Sequence, residues 1–510
     1  MLAPIAPIPG LFKNGTEYEA GGQVTPMGVN PPRWLNGNLC RFYGAQVGPV
    51  GGWRPRTGGH AVTGVPRAML PWKTNDHPAL RWIALGTESR LEVQDAGGAV
   101  HDITPAGFIS GGVDQLSGGG FGSGSFGGGK FGSPGSDSAG GTDALVWDLD
   151  TWNDKLVGCA FCDGRLVQWD GDPGHVAAAI TNAPTGCLGT LVAEQGFQFA
   201  LAPGGSGKTL QWSGQADNTV WTSTTTNQAG KVDLVTFGTL KKGVRLGPVV
   251  LVLTEQDAHV GNYVGLPSVW AFERIGSGCG ALSKGCVAAT GQVAAWWSGS
   301  GFWIYDGALR PLDCDVFDYL LKNVNFGQAS KIASFHNSQF GEVWWFFPSA
   351  GSNENDSYVY WDYRRDHWNL GALARTSAAQ AGVFNYPLAA SAAGLVYEHE
   401  VGAAYDGAAP YAETGPIEYL NGDMVATCDG IIPDEGTVGQ VTVDFRTRPF
   451  PNAAEIVLGE TTLTSAGRAD LRFTARQFKM RVTGASDGSG SLSNWRFGKA
   501  RLSLSQGGRR

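Results

Sequence analysis

A glycine-rich segment at residues 202–209 is the closest approach in this sequence to a known binding motif. Its letters, APGGSGKT, differ from the phosphate-binding consensus G-x-x-x-x-G-K-[ST] only at the first position. A phosphate-binding loop must open a helix, so that backbone N–H groups and the helix dipole face the phosphates. The residues that follow, LQWSGQAD, are typical of a strand and a turn. We therefore predict a hairpin turn here, without a nucleotide site.

Three acidic residues near aromatic clusters, Glu342, Asp362 and Asp366, are the candidates for carboxylate catalysis. Glycoside hydrolysis needs two carboxyl groups about 5–10 Å apart, and the sequence does not establish that these three converge. The eight histidines form no H-x-H or H-E-x-x-H cluster. Cys159 and Cys162 lack the second pair that a zinc site would need. We predict no catalytic, cofactor-binding or metal site, and therefore no enzyme.

The composition excludes several classes of protein. Glycine (77) and proline (26) are so frequent among the 510 residues that a mostly helical fold is excluded. The net charge of -8 gives no support to a protein that wraps nucleic acid through a basic surface. The longest apolar run, residues 249–253, is far below the roughly 20 residues that span a bilayer, so no stable membrane insertion is expected.

A recurring pattern organises the middle of the chain. A turn with glycine or a small polar residue precedes an apolar, aromatic-rich strand that ends on an acid, at intervals that bracket the roughly 40–50 residues of one propeller blade. Clear copies are SRLEVQD (89–95), GRLVQWD (164–170), GFWIYD (301–306), YVYWD (358–362) and GLVYE (394–398). The sequence predicts an all-β protein with an irregular β-propeller of about six or seven blades. A large β-sandwich or a set of jelly rolls is the alternative.

The chain is predicted to have three parts. Residues 1–58 form an extended N-terminal arm, residues 59–406 form the propeller, and residues 407–510 form a smaller antiparallel β domain. In this last part apolar and basic residues alternate with period two, so one face packs and the other is basic. The basic positions are Arg446, Arg472, Lys479, Arg481, Arg496 and Arg501.

A low-complexity insertion, taken as residues 111–141, interrupts the propeller pattern. Phe121, Phe126 and Phe131 recur every five residues among glycine and serine, with Lys130 beside the last of them. A segment of this composition cannot build a core of its own. It is either a surface loop or a loop whose phenylalanines contact a neighbouring subunit or meet across a pore.

Several stretches, taken in order, resemble the tail nozzle proteins of short-tailed double-stranded DNA bacteriophages, also called tail hub or tail tubular B-type proteins. The resemblance covers about residues 9–400, and its specificity comes from the order of the stretches. They are PGLFKNG (9–15), RFY (41–43), GPVGGWR (48–54), VPRAM (65–69), DNTVW (217–221), GFWIYDG (301–307), RPLDCD (310–315), EVWWFFP (342–348) and WDYRRDHW (361–368).

The resemblance implies a structural virion protein made in the host cytoplasm and located in the phage tail. It implies a homo-oligomeric ring, typically of six subunits, below the portal and adaptor, with a channel for double-stranded DNA and without a cofactor. A β platform built from both chain-terminal segments would dock to the adaptor, and tail fibre, spike or needle proteins would be further partners. The insertion has no counterpart in this pattern.

Two sets of residues are then expected to make contacts in the ring. Arg472, Arg481 and Arg501 would pair with acidic groups of the adaptor or of the next subunit. Residues 117–141 would lie at the lumen or at the distal tip. The alternative function is a propeller-type tail protein that recognises a receptor by binding or cleaving carbohydrate.

Overall fold

The computed structural model describes residues 1–56, 58–75, 79–116, 142–433, 441–462, 467–484 and 495–508. Short strands dominate these residues. One α-helix, α1 (Phe317–Asn323), and three short 3-10 helices, Pro203–Gly205, Phe326–Lys331 and Leu420–Gly422, lie among them.

Eight short strands precede the repeats of the propeller. They are β1 (Leu2–Ile5), β2 (Ile8–Leu11), β3 (Gly22–Thr25), β4 (Gly28–Asn30), β5 (Arg33–Asn38), β6 (Cys40–Tyr43), β7 (Gln46–Pro49) and β8 (Trp53–Pro55). Strands β6 and β7 pair only with each other, as a hairpin, among the strands that the structure describes.

Seven four-stranded antiparallel sheets follow, and each is one blade. Blades 1 to 3 are β9 (Ala68–Lys73), β10 (Arg81–Gly86), β11 (Leu91–Asp95) and β12 (Val100–Asp102); β13 (Trp147–Trp152), β14 (Lys155–Ala160), β15 (Leu166–Trp169) and β16 (Ala178–Ala179); and β17 (Gly189–Ala193), β18 (Phe197–Leu201), β19 (Thr209–Trp212) and β20 (Gly230–Asp233).

Blades 4 to 6 repeat this order and blade 7 borrows one strand from the N-terminal segment. They are β21 (Leu240–Leu246), β22 (Val249–Thr254), β23 (Asp257–Gly265) and β24 (Val269–Ser277); β25 (Val287–Thr290), β26 (Val293–Ser298), β27 (Gly301–Tyr305) and β28 (Leu309–Leu312); β29 (Ala333–Asn337), β30 (Glu342–Pro348), β31 (Asn355–Asp362) and β32 (His367–Ala372); and β33 (Ser377–Ala379), β34 (Leu388–Ala390) and β35 (Val396–His399) with β8.

The remaining strands form two platform sheets together with the N-terminal ones. They are β36 (Tyr411–Thr414), β37 (Ile417–Tyr419), β38 (Ala426–Ile432), β39 (Val441–Arg448), β40 (Ile456–Val457), β41 (Thr461–Thr462), β42 (Ala469–Ala475), β43 (Gln477–Gly484) and β44 (Ala500–Gln506). The outer platform sheet has the order β1-β44-β38-β42. The inner platform sheet has the order β2-β5-β36-β43-β37-β3-β4, with β39 also on β43.

The first strand of each blade contacts the first strand of the next, and β33 of blade 7 contacts β9 of blade 1. The ring is therefore closed, which confirms the predicted propeller and excludes the sandwich alternative. Strand β8 completes blade 7 by antiparallel pairing with β35. Residues 53–55 thus belong to the propeller, and not to the predicted N-terminal arm that ends at residue 58.

Aromatic residues of β30 explain why its blade needs a neighbour on both faces. All seven residues of the strand are buried. Trp344 packs with Tyr358 and Tyr360 on one face, whereas Trp345 packs with Phe302 of blade 5 on the other. Such a strand is stable only between two other layers.

Blades 5 and 6 share one hydrophobic core with the platform. Trp296 and Trp345 belong to the same buried cluster as Phe445 and Phe473 of the platform strands. Strands β2 and β5 lie against β32, the last strand of blade 6. The platform therefore covers the outer edge of that blade, and this edge is not left open for pairing with another chain.

The Arg41 guanidinium joins the β6–β7 hairpin to blades 6 and 7. Its Nε and Nη2 donate to the two carboxylate oxygens of Glu342 at 2.5 and 2.9 Å, and its Nη2 and Nη1 donate to those of Glu400 at 2.6 and 3.1 Å. The centroid of the Phe340 ring lies 3.5 Å from the guanidinium carbon. All three charged side chains are buried, so each carboxylate depends on this cation.

We expect Arg41→Met to lower the free energy of unfolding by about 3–5 kcal/mol, because two buried carboxylates lose their cation. The matched control is Arg54→Met, which removes an exposed ion pair to Glu398 and should cost less than about 1 kcal/mol. Denaturant unfolding of both variants measures the difference. Equal costs would contradict a structural role for the buried pairs.

Blade 7 also holds a half-buried histidine without a carboxylate beside it. Arg375 Nε donates to His399 Nε2 at 2.9 Å, and the His399 ring stacks on Trp53 of β8. Burial and the neighbouring Arg375 cation lower the pKa of His399 well below its usual range. His399 is therefore neutral in the folded protein at neutral pH.

Below about pH 6.5 the unfolded chain protonates His399 and the folded chain does not, so stability should fall as the pH is lowered. We expect His399→Gln to flatten the slope of unfolding free energy against pH by up to about 1.4 kcal/mol per pH unit. His175→Gln is the control, because a hydrogen bond to Asp170 raises the pKa of that exposed histidine. An unchanged slope in His399→Gln would refute this explanation.

Candidate interaction sites

The three candidate carboxylates do not form a shared catalytic pair. Glu342 and Asp362 lie opposite each other in the register of β30 and β31. Glu342 is bound by Arg41, and Asp362 is buried against Arg365 at 3.0 Å. Asp366 lies in the turn after β31 and is exposed. The two buried carboxylates therefore serve ion pairs that hold the fold.

The glycine-rich segment lies in the hairpin between β18 and β19. Its 3-10 turn is followed by strand β19 from Thr209. A strand, and not an α-helix, begins where the glycine-rich segment ends. The backbone N–H groups of the segment are therefore not aligned by a helix dipole. The predicted hairpin turn is present.

The cysteines behave as packed thiols. Cys159 is buried and Cys162 is half-buried, and both are free. Burial raises the pKa of both thiols. Within the residues that the structure describes, no three His, Cys, Asp or Glu side chains are grouped to hold a metal ion. None of the described helices is long and apolar enough to cross a membrane.

Charged groups converge at the end of the ring where the chain passes from blade to blade, called here the crossover end. Asp148 of β13 accepts from Lys242 of β21 at 2.5 Å and from Lys284 at 3.5 Å, so one carboxylate links blade 2 to blade 4 and to the segment before blade 5. A Cβ at Gly189 would overlap this carboxylate, so any larger residue there would force Asp148 to move.

The described residues on either side of residues 117–141, the glycine-rich part of the insertion, cross this same end of the ring. Asp114 lies 2.5 Å from Lys331 of the 3-10 helix before blade 6, and Val113 O accepts from Arg67 Nη2 at 3.0 Å. On the returning flank, Asp143 pairs with Lys241 at 3.0 Å. Further bonds join Gln115 to Gln328 and Ala144 to Ser330.

A single antiparallel bridge joins the two ends of the glycine-rich part, residues 117–141. Leu116 N donates to Thr142 O at 2.9 Å, and Thr142 N donates to Leu116 O at 3.0 Å. The insertion thus starts from a fixed point at the crossover end. The predicted contact residues Phe121, Phe126, Lys130 and Phe131 lie outside the described residues, so their proposed contacts stay predictions.

The six basic positions of the C-terminal part do not form one face. Most contact groups of the same chain: Lys479 pairs with Glu17 and Glu455, Arg446 with Glu413 and Asp444, Arg481 stacks on Tyr411, and Arg496 stacks on Tyr43. Arg472 of β42 and Arg501 of β44 are exposed on the outer platform sheet, whose other face is in the core. The structure therefore groups Arg472 with Arg501 and places Arg481 on the inner platform sheet.

Sequence reasoning missed the residues that hold these sites together. Arg41 lies 301 residues from Glu342 and 359 from Glu400. Lys331 lies 217 residues from Asp114. Only the position of Asp114, just before the glycine-rich residues 117–141, could have suggested that it anchors this part of the insertion.

No protein-family model and no curated protein matches the sequence. Solved structures with similar folds include virginiamycin B lyase from Staphylococcus aureus, at 8% identity and a TM-score of 0.38, covering 64% of this chain and 94% of that one. The N-terminal domain of Nup159 is similar at 9% identity and a TM-score of 0.35, covering 68% of this chain and 95% of that one. An exo-beta-1,3-galactanase from Phanerochaete chrysosporium is similar at 10% identity and a TM-score of 0.28, covering 88% of this chain and 100% of that one. At these identities and TM-scores none of them informs the function of this chain.

Replacing residues 117–141 by Asn-Gly should leave the fold intact, because the Leu116–Thr142 bridge has the geometry that a two-residue turn can connect. We expect the melting temperature to change by less than about 4 °C. In the same shortened chain, Lys331→Met should lower the melting temperature by more than this, since Asp114 loses its buried cation. Thermal unfolding followed by circular dichroism measures both. Unfolding of the shortened chain at room temperature would show that the flanks do not anchor themselves.

Proposed function

We propose that this chain is the nozzle subunit of a short-tailed bacteriophage tail. Six copies would form a ring-shaped channel below the portal and adaptor, through which genomic DNA is retained and then ejected. One observation carries the proposal. Both chain-terminal segments meet in a platform beside a propeller, and the first strand, β1, pairs with the last, β44. The resemblance in the sequence implies this two-part arrangement.

The charge distribution supports a conduit. Each Lys or Arg contact to a DNA phosphate adds salt-dependent affinity, which would slow the passage of DNA. The chain carries a net charge of -8, and many of its cations are already paired with carboxylates of the same chain. Its surface would therefore repel DNA weakly.

The outer platform sheet supplies the surface for assembly in this proposal. Arg472 and Arg501 present their guanidinium groups on its exposed face, where acidic groups of the adaptor or of a neighbouring subunit would bind them. Arg481 is the weaker candidate, because its guanidinium already stacks 3.6 Å from the Tyr411 ring.

The proposal is tested by electron microscopy and mass photometry of the purified protein with its adaptor. We expect closed rings with cyclic symmetry, about six copies and a channel wide enough for duplex DNA. A protein that stays monomeric with the adaptor, and that is absent from tail particles, would refute the proposal.

Charge reversal separates assembly from folding. Arg472→Glu with Arg501→Glu should leave the melting temperature nearly unchanged, because both side chains are exposed, and should reduce adaptor binding at least tenfold. Reversing Arg446 instead should destabilise the fold, because Arg446 neutralises the buried Glu413 at 3.1 Å. Normal adaptor binding by the double variant would remove these two arginines from the interface.

A further inference from the structure

A cleft of about 530 Å³ opens between blades 5 and 6. Its inner walls are apolar and include Ala295 and Ile304 of blade 5 and Val343 of blade 6. The volume lies within the roughly 300–1,000 Å³ of pockets that hold small ligands.

Two aromatic residues of blade 6 that line the cleft, the exposed Tyr363 and the buried Trp361, are held in fixed positions. The Tyr363 hydroxyl lies 2.9 Å from His336 Nε2, and the Tyr363 backbone N donates to Gly341 O at 3.0 Å. Trp361 Nε1 donates to Asp366 Oδ1 at 3.0 Å. The Tyr363 side chain is nevertheless 38% exposed. A ring that is both exposed and fixed can stack on a ligand without losing further freedom.

Hydrogen-bonding groups stand beside these rings. Asp313 lies in the lining with its carboxylate exposed, and no hydrogen bond to that carboxylate is present among the described residues. Asp306 is paired with Arg310, whose hydrogen bond holds the pKa of Asp306 below its usual range. The cleft thus combines carboxylate acceptors, a guanidinium donor and an apolar wall.

We propose that this cleft binds a neutral saccharide. The apolar face of a sugar ring would stack on Tyr363, while its hydroxyl groups would donate to Asp313 and Asp366 and accept from Arg310. Three carboxylates against one guanidinium make the lining net negative, so uronic and sialic acids are disfavoured. This site does not depend on the ring assembly proposed above, since all of its groups come from one chain.

Saturation-transfer NMR and calorimetry of the full chain test the site, with maltose, cellobiose and lactose as neutral probes and digalacturonic acid as the anionic probe. We expect at least one neutral probe to bind and the anionic probe not to bind. Tyr363→Ala should weaken the neutral probe at least tenfold, whereas Tyr363→Phe, which keeps the ring, should weaken it less than threefold.

The matched control is Tyr386→Ala, since Tyr386 is 37% exposed and is not among the residues that line the cleft. It should bind the neutral probe as the unaltered chain does. Melting curves of all variants show whether each is folded. The proposal is overturned if no neutral probe binds, if folded Tyr363→Ala binds as well as Tyr386→Ala, or if the anionic probe binds equally well. Ring formation in the microscope has no bearing on any of these results.

Discussion

The buried Arg41 guanidinium holds the N-terminal hairpin β6–β7 to blades 6 and 7. It is the shared cation of Glu342, at the start of a blade 6 strand, and Glu400, directly after the last strand of blade 7. A buried carboxylate without a cation or hydrogen bonds is strongly destabilising, so the two blade ends and the N-terminal hairpin are stable only together. The hairpin directly follows β5 of the inner platform sheet, so these pairs add to the shared core that contains Trp345 and Phe473 in joining the platform to blade 6.

Closure of the ring imposes a second dependence between distant segments. Blade 7 has only three strands of its own after residue 376, and its fourth strand, β8, comes from the N-terminal segment. Blade 7 is therefore complete only with residues 53–55 of the N-terminal segment. Trp53 of β8 then buries its ring against His399 and Tyr405, which adds side-chain packing to a short strand pairing.

The charged residues of this chain mostly stabilise the chain itself. At the crossover end they join blades that are not neighbours, through Asp148 and Lys242, and they fix both flanks of the insertion, through Asp114 and Lys241. In the platform, Lys479 and Arg448 share Glu17 and Glu455. Arg472 and Arg501 differ from these cations, because both are exposed on the outer platform sheet and neither has an ion pair among the described residues.

The all-β class and the propeller could be predicted, and the number of blades narrowed to about six or seven, because each hairpin is local: glycine turns and aromatic strands ending on an acid lie within about 50 residues of each other. The same holds for the hairpin at the glycine-rich segment, where a strand follows Thr209. Contacts between residues far apart in the chain could not be predicted from such local patterns. The period-two alternation predicted one basic face, but Lys479 and Arg446 meet acids contributed by other strands and loops. Likewise β8, Arg41 and the cleft beside Tyr363 acquire their roles only when the ring closes, because their partners lie up to 359 residues away and no local pattern encodes that distance.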